Sequence, residues 1–369
     1  MAIRQRRGRR AAASPELGLV AAGLAGLAGL TGLAGLVGLL GLTGAGPAQA
    51  ASRTAAAPSV LVRDIVVGNH ASAVAVDRKR RVAWVCAGTS AGPRLTRISE
   101  TSQKVTARVS FGASAIAVDP GTSTVWALDS GNGTMAQISE VTSKVVRTFS
   151  GFGLVHGIAV DPRTRTVWLT SNSSVVAFSE ATHRVLHTIG LHLGRDQQPG
   201  DVAIDPRTGT VWVAIIPASR NLPSVWISEI SESAHRIIHT YPYGAPGDER
   251  ASLAVDSARG TVWVGSNNFG TATGSTTGML QVIAISKRRI IRTFTGLPVA
   301  PDGLAIDSGT HTVLATAVGN RFLVMNELTG GIIHKIQLGF YPGDVAVDTG
   351  TRNVYVPIVF KGVVAEFHE

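Results

Sequence analysis

One segment recurs seven times along this chain, and a repeat of that length admits few architectures. Each copy is an apolar run ending in Asp, a turn, and a second apolar run with one large side chain. The copies run from Ala73 to Trp84, Ala115 to Trp126, Gly157 to Trp168, Asp201 to Trp212, Ser252 to Trp263, Gly303 to Leu314 and Asp344 to Tyr355. Successive Asp residues, starting at Asp77, lie 42, 42, 44, 51, 51 and 41 positions apart. A period in the forties with several short strands per copy marks propeller blades. The expected fold is all-β: a seven-bladed β-propeller over 60–369 with four-stranded blades.

Each copy divides into strands a to d. Strand a is apolar on both faces, as an innermost strand must be. The turn after it, clearest at Asp161-Pro162-Arg163-Thr164, uses an Asp that can accept nearby backbone N–H groups. Strand b has the form Thr-Val-Trp-Val, strand c ends in Ile-Ser-Glu, and strand d alternates, as in Lys144–Phe149. The last copy reaches the end of strand c at Glu369, while Leu61–Gly68 reads as a strand d with no a, b or c before it. The N-terminal strand is therefore expected to complete blade seven. Abundant glycine (42 residues) suits the tight turns, and 44% hydrophobic residues suffice for a large core. The one cysteine, Cys86, rules out an intrachain disulfide and reads as a buried thiol.

Residues 1–50 read as an export segment. Five arginines between Arg4 and Arg10 precede the uncharged stretch 17–44, and Ala48-Gln49-Ala50 offers a cleavage site. Residues 51–59 form a linker. The stretch 17–44 is long enough to serve as an uncleaved membrane anchor instead. A glycine every third residue in it suggests collagen, but the triplets lack proline. The paired arginines lie too far from the apolar run for a strong twin-arginine signal. The segment supplies +4 of the formal charge of +10, and the remainder is too dispersed to expect a nucleic-acid partner. A secreted or otherwise extracytoplasmic monomer is expected.

The pattern Ala-Val-Asp-Pro-x-Thr-x-Thr-Val-Trp-Val, followed by Ile-Ser-Glu-x-Thr-x-x-Val, resembles the YVTN family of seven-bladed propellers across 60–369. Only Asn353-Val-Tyr-Val356 approaches that family's Tyr-Val strand, and Ser99, Ser139, Ser179 and Ser231 replace its usual Asp. The resemblance implies the fold and says little about function. Gly153–Asp161 is also similar to a blade of the virginiamycin B lyase group, which implies a His and a Glu at the channel mouth with Mg²⁺. Here His156 has no His-x-Glu partner, and His70 is the only other His near the start of a strand a.

Seven equivalent Asp residues mark a scaffold, so a site should lie where the repeat breaks. From Trp to the Ser before the c–d turn there are 13 residues in copy two (Trp126 to Ser139), 19 in copy four (Trp212 to Ser231) and 23 in copy five (Trp263 to Ser286). The excess falls in the b–c loops 215–224 and 267–278, and the d–a connections 191–200 and 241–250 are long as well. All crowd one face, and loops on a rigid scaffold are where function concentrates. Arg220, Asn221, Arg250, Asn267 and Asn268 there are candidate ligand-binding residues for a protein, glycan or cell-wall component.

Near the axial channel, Asp201, Asp302 and Asp344 could hold Ca²⁺ or Mg²⁺. His156 and Glu249 are the candidate catalytic pair of a metal-dependent lyase or lactonase. A quinone- or haem-dependent dehydrogenase is a third reading, without visible attachment residues. No metalloprotease, nucleophile-elbow, phosphate-loop or Cys–His arrangement occurs. A non-catalytic binding scaffold is thus the first expectation and an enzyme the alternative. On the outer edge, Arg63, Arg147, His187, His239, Arg292 and His334 share one place in strand d. They read as guards against edge pairing or as contacts to an anionic polymer.

Overall fold

The computed structural model describes residues 60–89, 92–217, 225–243, 248–268, 277–297 and 301–369. The expected export segment 1–50, the expected linker 51–59, Arg220 and Asn221 lie outside them. The described residues form 28 strands in seven four-stranded antiparallel sheets, with no helix. Blades one to six occupy 74–109, 115–149, 155–190, 197–243, 248–297 and 301–337. Each strand a touches strand a of both neighbouring blades, and blade seven meets blade one, so the ring closes.

Closure uses the N-terminal strand, as expected. Val60–Val66 pairs antiparallel with Val363–His368 and supplies strand d of blade seven. Ile65, opposite Val364, enters the apolar cluster that joins blades seven and one. Seven such clusters exist, one per pair of neighbouring blades. Strand b of each blade points its largest side chain into the cluster shared with the next blade: five tryptophans, then Leu314 and Tyr355. Cys86 is buried in the cluster between blades one and two. Burial and the Asp344 carboxylate push its thiol up.

The seven turn Asp residues are scaffold. Each accepts the backbone N–H two residues on, as Asp161 does from Arg163 at 2.7 Å. Their second oxygens face the next blade, where a buried Glu waits: Glu140 beside Asp77, Glu180 beside Asp119, Glu232 beside Asp161, Glu327 beside Asp256, Glu369 beside Asp307 and Glu100 beside Asp348. Trp84 donates its indole N–H to Glu140 at 2.8 Å and Trp168 to Glu232 at 2.7 Å, and Trp126 bonds Glu180 alike. Burial, reinforced by the Asp carboxylate alongside, raises Glu100 and Glu140 to about 8 and Glu180, Glu232 and Glu327 to about 7.

The seventh corner differs. Ile285 takes the Glu place in blade five, so Trp212 turns its N–H to Thr210 at 3.1 Å and Asp205 accepts the Thr208 hydroxyl at 2.7 Å.

Ile285 also corrects the register expected from sequence. Ala284, paired with Thr261, holds the place before the c–d turn, not Ser286. The physical reason is the run Ala284-Ile285-Ser286, in which Ile285 packs into the apolar cluster and carries Ser286 past the strand end. The enlarged loops are shorter than expected too. Residues 215–217 and 267–268 continue strand b, where they pair with the lengthened strand a. The added chain satisfies its backbone groups by extending a hairpin.

The strand-d bases occupy equivalent register positions, and several are engaged locally. Arg63 lies 3.9 Å from Glu366, Arg147 sits over the Phe149 ring, and His187 stacks on His235 of the next blade at 3.4 Å.

Candidate ligand site at the channel mouth

Antiparallel order puts the Asp turns on one face and the d–a and b–c connections on the other. The second face opens into an axial funnel of about 600 Å³. Five places before each turn Asp stand Ser72, Ser114, His156, Gly200, Ala251, Asp302 and Gly343, all lining the funnel. The turn face repeats one residue seven times; the funnel presents five residue types at seven equivalent places.

Backbone geometry deepens the asymmetry. Strand a carries a β-bulge at its start in blades three, four, five and six, and in no other blade. The extra residues are His156 with Gly157, Gly200 with Asp201, Glu249, and Asp302. Four of the five residues expected at the channel mouth therefore sit in bulges, which re-aim side chains and recur beside functional sites. Asp344 lies just before strand a of blade seven, also on the funnel wall. Gly343 permits that approach, because a Cβ there would stand 2.2 Å from the Ser72 carbonyl oxygen. The Asp344 N–H donates to the same carbonyl at 2.8 Å, tying blade seven to blade one.

The carboxylates do structural work within this rim. Asp201 accepts the N–H of Val202 at 2.8 Å and that of Leu253, in the next blade, at 3.0 Å. Asp344 accepts the Val345 N–H at 2.8 Å. Asp302 accepts the Tyr341 hydroxyl. Burial raises Asp201 to about 6 and Asp344 to about 7, against the pull of those N–H donors. The surrounding walls hold the His156 imidazole below its usual range, so it is neutral at pH 7. Among the described residues, no three His, Cys, Asp or Glu side chains gather closely enough to hold a metal ion. Both Asp201 oxygens thus accept N–H groups and Asp302 accepts the Tyr341 hydroxyl, so these carboxylates are engaged within the rim.

Of the other candidates, Glu249 and Arg250 lie on strand a of blade five, Asp248–Asp256. Asn267 and Asn268 lie beside them on strand b, Thr261–Asn268, with Arg250 opposite Asn267. The backbone alone is described for these four. Sequence reasoning missed Tyr341 on the funnel wall, which lies outside the repeated core of strand a, and read Ser252 only as the start of the fifth copy.

Comparison with known proteins places the shape. No family model matches the chain, and no curated protein matches it. Among solved structures, hydrazine synthase of Kuenenia stuttgartiensis aligns with a TM-score of 0.71 at 12% identity, over 82% of this chain and 96% of that one. The Cps50 (Swd1) β-propeller domain of Myceliophteria thermophila aligns with a TM-score of 0.66 at 9% identity, over 85% and 100%. The likeness is one of fold. With 1655 solved chains sharing it, shape does not choose a function here.

Proposed function

We propose that this protein is an extracytoplasmic, non-catalytic binding propeller that receives a partner at the funnel. The observation carrying this reading is the confinement of four bulged strands to blades three to six, beside a funnel whose seven equivalent places hold five residue types. A rigid ring with a variable rim is built for recognition. The YVTN-like repeat supports the same scaffold role, and residues 1–50 support export. The partner is expected to be a protein or glycan of the cell envelope, with Arg220, Asn221, Arg250, Asn267 and Asn268 extending the contact beyond the rim.

Photo-crosslinking in the producing cell tests this. A crosslinking residue at Ser114 or Ala251, on the rim, is expected to trap a defined partner. The same residue at Arg163, on the turn face, is expected to trap none. Equal trapping from both faces, or none from the rim, would overturn the proposal. Fractionation and N-terminal sequencing check the address, with Ala51 the expected mature start.

A further inference from the structure

We infer a second binding site, for a neutral pyranose unit of a glycan, in the cleft between blades three and four. It stands apart from the funnel and does not rest on the reading given for it. Strand c of blade four, Val225–Ser231, turns Trp226, Ser228 and Ile230 toward blade three. Ile230 packs into the apolar cluster around Trp168. Further along the strand that packing ends, leaving a cleft of about 400 Å³ lined by Leu191, His192, Gln197, Trp226, Ser228 and Thr240. Small-molecule sites span about 300–1,000 Å³, so the cleft suits one or two sugar rings.

Three observations give it a ligand. First, Trp226 is 36% exposed, whereas the other five tryptophans are at most 1% exposed. The equivalent strand-c places in other blades hold Arg94, Thr134, Ser174, Met279, Arg321 and Val363, so no other blade offers an aromatic ring there. Second, Ser228 is 1% exposed, lines the cleft, and its hydroxyl has no hydrogen-bond partner. A buried orphan hydroxyl is costly and asks for an explanation, which a ligand hydroxyl would supply. Third, Gln197 accepts the Gly194 N–H at 2.8 Å, which anchors its oxygen and leaves its NH₂ to donate.

The lining fixes the ligand class. Among the described residues it contains no Asp, Glu, Lys or Arg. A phosphate, carboxylate or ammonium would enter it unpaired, at high cost. An aromatic face beside an imidazole, an amide and two hydroxyls matches a ring with an apolar C–H face and hydroxyls around its edge.

The test titrates the purified protein with neutral trisaccharides of glucose, mannose, galactose and N-acetylglucosamine, reading tryptophan emission and acrylamide quenching. At least one is expected to bind saturably and shield Trp226. Trp226→Ala is expected to lose at least tenfold in affinity with an unchanged melting temperature, and Trp226→Phe to keep part of it. Ser228→Ala is expected to weaken binding severalfold while leaving the free protein as stable or more so, a split that a purely structural role would not give. The proposal fails if no trisaccharide shields Trp226, if shielding survives Trp226→Ala, or if an oligoproline peptide shields it in place of the sugars.

Discussion

Glu140 shows what a single side chain does at a blade junction. It accepts the Trp84 indole N–H with one oxygen, while the other faces Asp77 and Arg80. Burial chiefly, and the Asp77 carboxyl alongside, favour a proton on this pair, so Glu140 rises to about 8. A raised carboxyl pKa means that the folded state keeps a proton the unfolded chain has lost. Its stability is therefore fully present below the unfolded value of 4.5 and is lost as pH rises through about 8. Glu140→Gln keeps the shape and makes the neutral form permanent. It is expected to melt like the parent at pH 5 and several degrees higher at pH 8.5; a variant less stable at pH 8.5 would refute the shared proton. The Asp half of this junction was readable, because its bonds reach only two residues along the chain. The Glu half was not, since Trp84 and Glu140 stand 56 residues apart and meet only once the ring forms.

At the level of elements, strand Val60–Val66 decides whether the ring is complete. It pairs with the last strand across nearly 300 residues and places Ile65, 5% exposed, between blades seven and one. Ile65→Ala is expected to cost about 2–5 kcal/mol, as for other buried Ile side chains, and Val66→Ala, at an exposed place, little. Urea unfolding of both variants checks this, and equal losses would show that the strand does not clasp the ring. The closing strand was legible because a lone strand d at one end matches a missing one at the other. The lengthened hairpins of blades four and five were legible only as added length. Counting residues cannot tell a loop from two strands that continue pairing, and the run Ala284-Ile285-Ser286 hides a two-residue register difference. The bulges that build the funnel rim were invisible for the same reason. A bulge is defined by the partner strand, not by the residues inside it.

Taken whole, the molecule divides its labour between two faces. The turn face repeats an Asp–Glu corner at six blade junctions, three of them with a Trp N–H bound to the Glu, and the opposite face is free to vary. The corners make the ring a proton-binding body. Glu100, Glu140, Glu180, Glu232, Glu327 and Glu369 all rise, to between about 6 and 8, and Asp201 and Asp344 join them from the funnel wall. Among the described residues, only His156 and Asp256 move down. Between about pH 5 and 8 the folded state thus binds more protons than the unfolded chain, so stability must fall as pH rises across that window. Scanning calorimetry is expected to give a melting temperature higher at pH 5.5 than at pH 8.5. Unfolding at pH 7 should also release protons, seen as an enthalpy that varies with the ionisation heat of the buffer. A melting temperature that climbs from pH 5.5 to 8.5, or unfolding that takes protons up, would mean that the corners hold paired charges and not shared protons. The Glu140→Gln variant separates the contributions, because it should remove one corner's share of the pH dependence and leave the other five in place.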